Sequence, residues 1–248
     1  ALDCGILSLE GGSKDNAIPR FTTGQVLVQD VAAGQKCVQE LEKILRHEYA
    51  GVDDAITVKL LPVEEADRRQ MCLTKASARK VKCALMNLPN GIQAMSADVE
   101  GLVETSLNMG VMTLTRDSGS EGTLTVKSAI RSSKESSKEY LTRRTVAMIE
   151  LLGGTAQEQG AYPGWDYKRE STLRDSFIAA YTKLYGEPPV CEGIHAGVEC
   201  GLFTGKVPDM DCISLGPNMQ NVHTAEECLE VASVERTWNL LLEVLKQK

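Results

Sequence analysis

The run Gly160-Ala161-Tyr162-Pro163-Gly164-Trp165 limits what this chain can fold into more than any other stretch. Two glycines and a proline within it interrupt both the helical and the strand period, so regular structure stops there and the chain divides. That places one domain over residues 1–162 and a shorter piece over residues 163–248. Before the break, residues 5–9 and 21–29 read as an antiparallel strand pair, separated by Gly11-Gly12 and the turn from Asn16 to Pro19. A helix is expected over 33–49, where Val38, Leu41, Ile44 and Leu45 recur at three- and four-residue spacing. Residues 55–61, ending at Pro62, have the β-branched and apolar character of a strand. Residues 64–88 read as a helix stopped by Pro89-Asn90-Gly91. Residues 111–115 and 123–130 suit a hairpin around Asp117-Ser118-Gly119, followed by a helix over 138–152 that ends at Gly153-Gly154. Strands joined by hairpins and interspersed with helices predict an α+β layer, helices on one face of a mostly antiparallel sheet.

Beyond the break, residues 172–185 form an amphipathic pattern with Phe177, Ile178, Tyr181 and Leu184 on one side. Residues 190–194 and 212–215 are short apolar runs of the kind buried in a parallel sheet. Ser233 is placed to cap a last helix whose buried stripe is Val234, Trp238, Leu241, Leu242 and Leu245. These elements supply too few strands to close a sheet alone, so the segment reads as the end of a larger α/β domain.

The formal net charge of -7 argues against a surface that tracks phosphates, which requires clustered Lys and Arg. No apolar run approaches the ~20 residues that cross a bilayer. Small molecules or proteins are therefore the expected partners, not nucleic acid or membrane. Eight cysteines, scattered without a C-x-x-C pair, read as reduced thiols of a cytoplasmic protein rather than as a disulfide or zinc framework. Only three histidines are present. His47 lies in a charged helical stretch and reads as a surface residue. His195 falls after an expected strand end, where ligand sites of α/β sheets gather. His223 follows the Gly216-Pro217 turn.

Gly11-Gly12-Ser13-Lys14-Asp15-Asn16-Ala17-Ile18-Pro19-Arg20 resembles the "GG-x-x-x-NAIPRE" stretch of aminoacyl-histidine dipeptidases, also called Xaa-His dipeptidase or peptidase D. Residues 161–165 resemble that family's "AYPGW". Residues 195–203, His195-Ala196-Gly197-Val198-Glu199-Cys200-Gly201-Leu202-Phe203, are similar to its "HAGLECGLF". Residues 214–227 are similar to its "SIGP…HSPDE", in the same order and at matching spacing. The resemblance implies a di-zinc peptidase whose α/β catalytic domain is split in sequence by a lid. Residues 1–162 then correspond to the lid without its start, and residues 163–248 to the C-terminal part of the catalytic domain. The family's other zinc motifs, and the "GGHSG" lid loop expected just before Ala1, are absent from this sequence.

Carried over residue by residue, His223 corresponds to the last zinc ligand, a neutral imidazole closing one metal's shell. Asn16 and Arg131 correspond to the lid's polar pair, an amide and a planar guanidinium suited to carbonyl and carboxylate oxygens. His195, Glu199 and Gly201 correspond to the substrate loop, with Gly201 letting the backbone come close to the ligand because it lacks Cβ. The general base is expected outside this sequence, and the resemblance leaves room for a homodimer. Phe21 in place of the family's Glu, and Lys14-Asp15 in place of a more basic pair, bear on fine substrate preference. Thr224-Ala225-Glu226 replaces "SPD" but keeps the His and an acidic neighbour. The implied activity is zinc-dependent hydrolysis of Xaa-His dipeptides. The alternatives are a non-catalytic lid or oligomerisation module and a related aminoacylase or carboxypeptidase.

Overall fold

The computed structural model describes residues 4–63, 72–116, 122–207, 209–222 and 224–246. They fall into two compact units. The first comprises Ala1–Leu88, Asn108–Ala129 and Met148–Gly154, and the second Pro89–Leu107, Ile130–Ala147 and Thr155–Lys248. Neither coincides with residues 1–162 or 163–248.

The first unit is built on β1 (Cys4–Gly11) and β2 (Thr22–Val28), paired antiparallel from Cys4 opposite Val28 to Gly11 opposite Thr22. The expected hairpin is thus present. Ile6 and Leu9 are three residues apart, which strict alternation would send to opposite faces. The register shift between Ile6 and Ser8 resets the parity, and both side chains reach one core with Val81 and Leu114. The helix α1 (Val31–Glu48) starts at Asp30, whose carboxylate accepts from the Ala33 N–H at 3.0 Å. The expected strand over 55–61 does not form. The Val58 N–H is directed at the Glu42 carboxylate on α1, 3.1 Å away, rather than at a neighbouring strand, so apolar character there produced no ladder.

The helix α2 (Lys75–Asn87) is capped by the Thr74 hydroxyl, which accepts from the Ser77 N–H at 3.1 Å. Of the helix expected over 64–88, residues 64–71 lie outside the described residues, and the helix observed begins at Lys75. Its Ala78, Val81 and Leu85 pack on the sheet at three- and four-residue spacing, and Pro89 follows its end.

Two long strands contribute to both units. These are β4, which follows the short β3 (Gly91–Met95) and spans Val103–Arg116, and β5 (Gly122–Ser132). Hydrogen bonding orders the strands β2-β1-β4-β3, with β5 paired to β4 as the hairpin expectation required. The hairpin turn itself lies outside the described residues. Within the first unit, Gly11 of β1 faces Met112 of β4.

Here the segment carrying Asn16 is held down. The Asn108 amide donates to the carbonyls of Asp15 (2.8 Å) and Ala17 (2.9 Å) on either side of it, leaving Asn16 exposed. Gly110 completes the seat, because a Cβ there would lie 2.3 Å from the Asp15 carbonyl oxygen and 2.4 Å from the Lys14 carbonyl oxygen. Both are backbone atoms that cannot swing aside. Gly110→Ala is therefore expected to destabilise the chain by about 1–3 kcal/mol. The reading is a lowered urea midpoint at unchanged slope. An unchanged midpoint would show that the segment does not rest on Gly110.

In the second unit β3 pairs antiparallel with β4, from Gly91 opposite Leu107 to Met95 opposite Val103. The sequence reading did not anticipate this strand. The helix α3 (Glu135–Leu151) belongs to this unit as far as Ala147, its last turn and Gly153 to the first unit, and Gly153, at φ 84°, supplies the left-handed turn expected of Gly153-Gly154. The helix α4 (Thr172–Tyr185) has the expected limits, with the Ser171 hydroxyl accepting from the Arg174 N–H at 3.0 Å and Gly186 closing it at φ 86°. The short helix α5 (Glu199–Lys206), the two-residue strands β6 (Met219–Gln220) and β7 (Cys228–Leu229), and α6 (Val231–Leu245) complete the unit.

Three expectations fail in this unit. Residues 190–194 and 212–215 form no strands, and Val190, Ile194 and Leu215 are exposed rather than buried in a parallel sheet. Ser233 is not the cap of α6, which begins two residues earlier. Its buried hydroxyl instead accepts from the Asn218 N–H at 2.9 Å and donates to the Glu230 carbonyl at 2.6 Å. Of the expected stripe, Val234, Trp238, Leu242 and Leu245 are exposed and Leu241 is half-buried, while Glu243 on another face of the helix is buried against Lys183 of α4. The helix period was legible, but the face chosen for burial was not.

Candidate functional site

The second unit gathers four of the residues singled out by sequence: Arg131, His195, Glu199 and Gly201. Asn16 belongs to the first unit, and His223 lies outside the described residues.

The base of this region is the first part of β4, where Glu104, Thr105 and Ser106 are three consecutive polar residues between Val103 and Leu107. Such a run is costly inside a sheet unless each group is bonded. Glu104 is buried and meets the Lys134 ammonium at 3.0 Å, while its backbone carbonyl accepts from the Ser133 N–H at 3.1 Å. The carboxylate beside it holds the Lys134 ammonium pKa above its ordinary value, first through the hydrogen bond and then through charge. Thr105 and Ser132 share a hydroxyl hydrogen bond of 2.8 Å. The chain just after Arg131, from Ser132 to Lys134, is thereby tied to β4.

Ser106 reaches His195, with 2.7 Å between its Oγ and Nε2. Arg131 Nη1 donates to the His195 carbonyl at 3.3 Å. Desolvation is the main cause that lowers the imidazole pKa, the Arg131 charge adds to it, and a hydrogen bond with the Val103 backbone opposes both.

The Gly160-to-Trp165 run is not a slack tether. The Gly164 N–H donates to the Glu135 carboxylate at 3.1 Å, and Lys138, ion-paired to the same carboxylate, donates to the Tyr162 carbonyl. Lys138 is also the leading reason that the Glu135 carboxyl titrates below its usual range. Tyr162 lies against Gly197, where a Cβ would come within 3.1 Å of its ring. Its phenol is pushed up in pKa by burial and then by the negative charge of Glu199.

Glu199 is the exposed first residue of α5, where a negative charge is favoured by the helix dipole. Gly201 is buried, its N–H donates to the Val198 carbonyl at 3.0 Å, and a Cβ would stand 2.9 Å from the Pro163 carbonyl oxygen. The close approach that Gly201 permits is thus made to protein backbone.

This arrangement presents an exposed guanidinium braced by a loop carbonyl, with a carboxylate at the next helix start. A guanidinium offers its remaining donors in a planar fork that matches a carboxylate. Ser106 and Glu104 escaped the sequence reading. Their only signal was three successive polar residues between Val103 and Leu107. Among the described residues no three His, Cys, Asp or Glu side chains converge into a metal-binding group. The described residues therefore do not form a zinc site by themselves.

The fold that carries this region is shared with peptidases. Aminopeptidase PepT from Bacillus cereus superposes at TM-score 0.54 with 16% identity over 68% of this chain and 44% of its own, a likeness of fold alone. Aminoacylhistidine dipeptidase from Vibrio alginolyticus superposes at TM-score 0.83 with 31% identity, over 99% of this chain and 49% of its own. The cytosol non-specific dipeptidase of Escherichia coli (strain K12) is 33% identical over 249 aligned residues, covering 99% of this chain and 50% of that protein. No protein-family model matches. The chain resembles aminoacyl-histidine dipeptidases along essentially its whole length, and it spans about half the length of the relatives it matches.

Proposed function

We propose that this chain is the substrate-binding part of a zinc-dependent dipeptidase that hydrolyses Xaa-His dipeptides in the cytoplasm. Residues 1–162 are the lid, and residues 163–248 are the C-terminal return into the catalytic domain. The observation that carries this reading is the match to two named dipeptidases over 99% of the chain. The motifs around Asn16, Tyr162, His195 and His223 support it.

In this reading Arg131 receives the dipeptide's terminal carboxylate, and its guanidinium fork suits that group. Asn16 supplies an amide to a carbonyl oxygen, and Glu199 sits where it can face the substrate's cationic end. Gly201 acts through its packing on residues 163–164, which seats the 195–201 loop. His223 is one zinc ligand, and the remaining ligands and the general base belong to the segment that the relatives possess beyond this chain's span. Bound zinc would polarise the peptide carbonyl and lower the pKa of water. The reading is compatible with a homodimer.

A single His cannot hold a two-metal site, because each catalytic zinc takes about three protein ligands. The 248-residue chain alone, incubated with zinc and a Xaa-His dipeptide, should release no amino acid above buffer. Robust zinc-dependent turnover would show that the chemistry does not need the other segment.

A further inference from the structure

The sequence motif accounts for His195 and, through the lid pair, for Arg131, but not for what holds them in place. The Ser106 hydroxyl engages Nε2 of the ring at 2.7 Å, which ties the imidazole to β4. Which of the two atoms donates follows from the tautomer of the ring, and either sense of the bond fixes the ring's orientation. What His195 presents outward is its carbonyl, which takes Arg131 Nη1 at 3.3 Å.

We propose that Ser106 is a positioning residue for ligand recognition, its hydroxyl locking the His195 ring so that the His195 carbonyl braces the Arg131 guanidinium toward a carboxylate-bearing ligand. The proposal rests on the dipeptidase reading only for the identity of that ligand. The bracing itself is independent of it. Ser106 lies on β4 two residues after Glu104, whose ion pair with Lys134 anchors the same stretch of β4. A hydroxyl on a strand so anchored is a fixed point, whereas residues 190–198 form no regular element. The Arg131 side chain itself is exposed, and an unbraced guanidinium on a flexible stem would sample many rotamers.

The test uses the full 248-residue chain labelled with 15N at histidine and arginine, in which only three imidazoles need assignment. Long-range proton–nitrogen spectra should show the His195 Nε2 resonance displaced from that of a solvent-exposed imidazole, and the Arg131 side-chain N–H should exchange slowly. In Ser106→Ala the His195 Nε2 resonance should move, and the Arg131 N–H should exchange about fivefold faster, the effect of losing roughly one hydrogen bond. Ser106→Thr keeps the hydroxyl and should retain the wild-type signature.

A wild-type His195 Nε2 resonance at the position of a solvent-exposed imidazole would overturn the proposal without any variant. So would an Arg131 signal unchanged in Ser106→Ala although the imidazole has moved. If Ser106→Ala does not fold, Ser106→Cys, with its weaker donor, replaces it and should shift both signals in the same direction. None of these spectra involves peptide hydrolysis, so a failed dipeptidase assay would leave them standing, and failed spectra would leave the dipeptidase reading standing.

Discussion

His223→Ala, made in a protein that joins this chain to the segment its dipeptidase relatives have in addition, should lose zinc and lower kcat/KM by orders of magnitude. His223 is the residue of this sequence that resembles a metal ligand. A site deprived of one imidazole holds its ion more weakly, and the polarised carbonyl and activated water are lost with the ion. Metal analysis beside steady-state kinetics reads both consequences. A His223→Ala protein that keeps its full zinc content would show that the ligand was assigned to the wrong residue.

Arg131→Ala in the same protein should fail differently. The guanidinium is proposed to contact the substrate rather than the metals, so zinc content should stay near that of the parent. Removing a charged hydrogen-bond partner from a desolvated contact costs ~2–4 kcal/mol, or about 30- to 1,000-fold in kcat/KM. Arg131 sits on a strand end with its backbone neighbours tied to β4, and Ser132 is bonded to Thr105 at 2.8 Å. The truncation should therefore leave the fold intact, and urea denaturation should confirm that. Unchanged kinetics would reduce Arg131 to an exposed cation at the end of β5.

How far sequence reasoning reached depended on whether an element is held by its own residues or by its neighbours. The strand pair β1–β2 and the helix α4 were legible because alternation, turn glycines, the Ser171 cap and the Gly186 stop lie within the segments themselves. The strand β3 was not. Four of its five residues are exposed, and Gly91-Ile92-Gln93-Ala94-Met95 becomes a strand through pairing with β4 rather than by propensity. The opposite error occurred at residues 55–61, 190–194 and 212–215, where apolar composition suggested strands that have no ladder to join. The exposed stripe of α6 shows the same limit, since periodicity identifies a helix face but not what lies against it.

The candidate site divides along the same line. Arg131, His195, Glu199 and Gly201 were each singled out, yet nothing in the sequence paired Arg131 with the His195 carbonyl, 64 positions away. Still less did it indicate Ser106, 89 positions from the imidazole it bonds. Gly201 was read as a place where backbone comes close to a ligand, and what lies against it in the fold is the Pro163 carbonyl.

The central claim, that this chain carries the substrate-binding part of a dipeptidase, is tested most directly by replacing the matching half of the Escherichia coli cytosol non-specific dipeptidase with residues 1–248 and assaying dipeptides with zinc present. The account predicts hydrolysis of Xaa-His dipeptides by the hybrid, while the same hybrid carrying Arg131→Ala retains its metal and loses most of that activity. A folded, zinc-loaded hybrid that cleaves no dipeptide would contradict it.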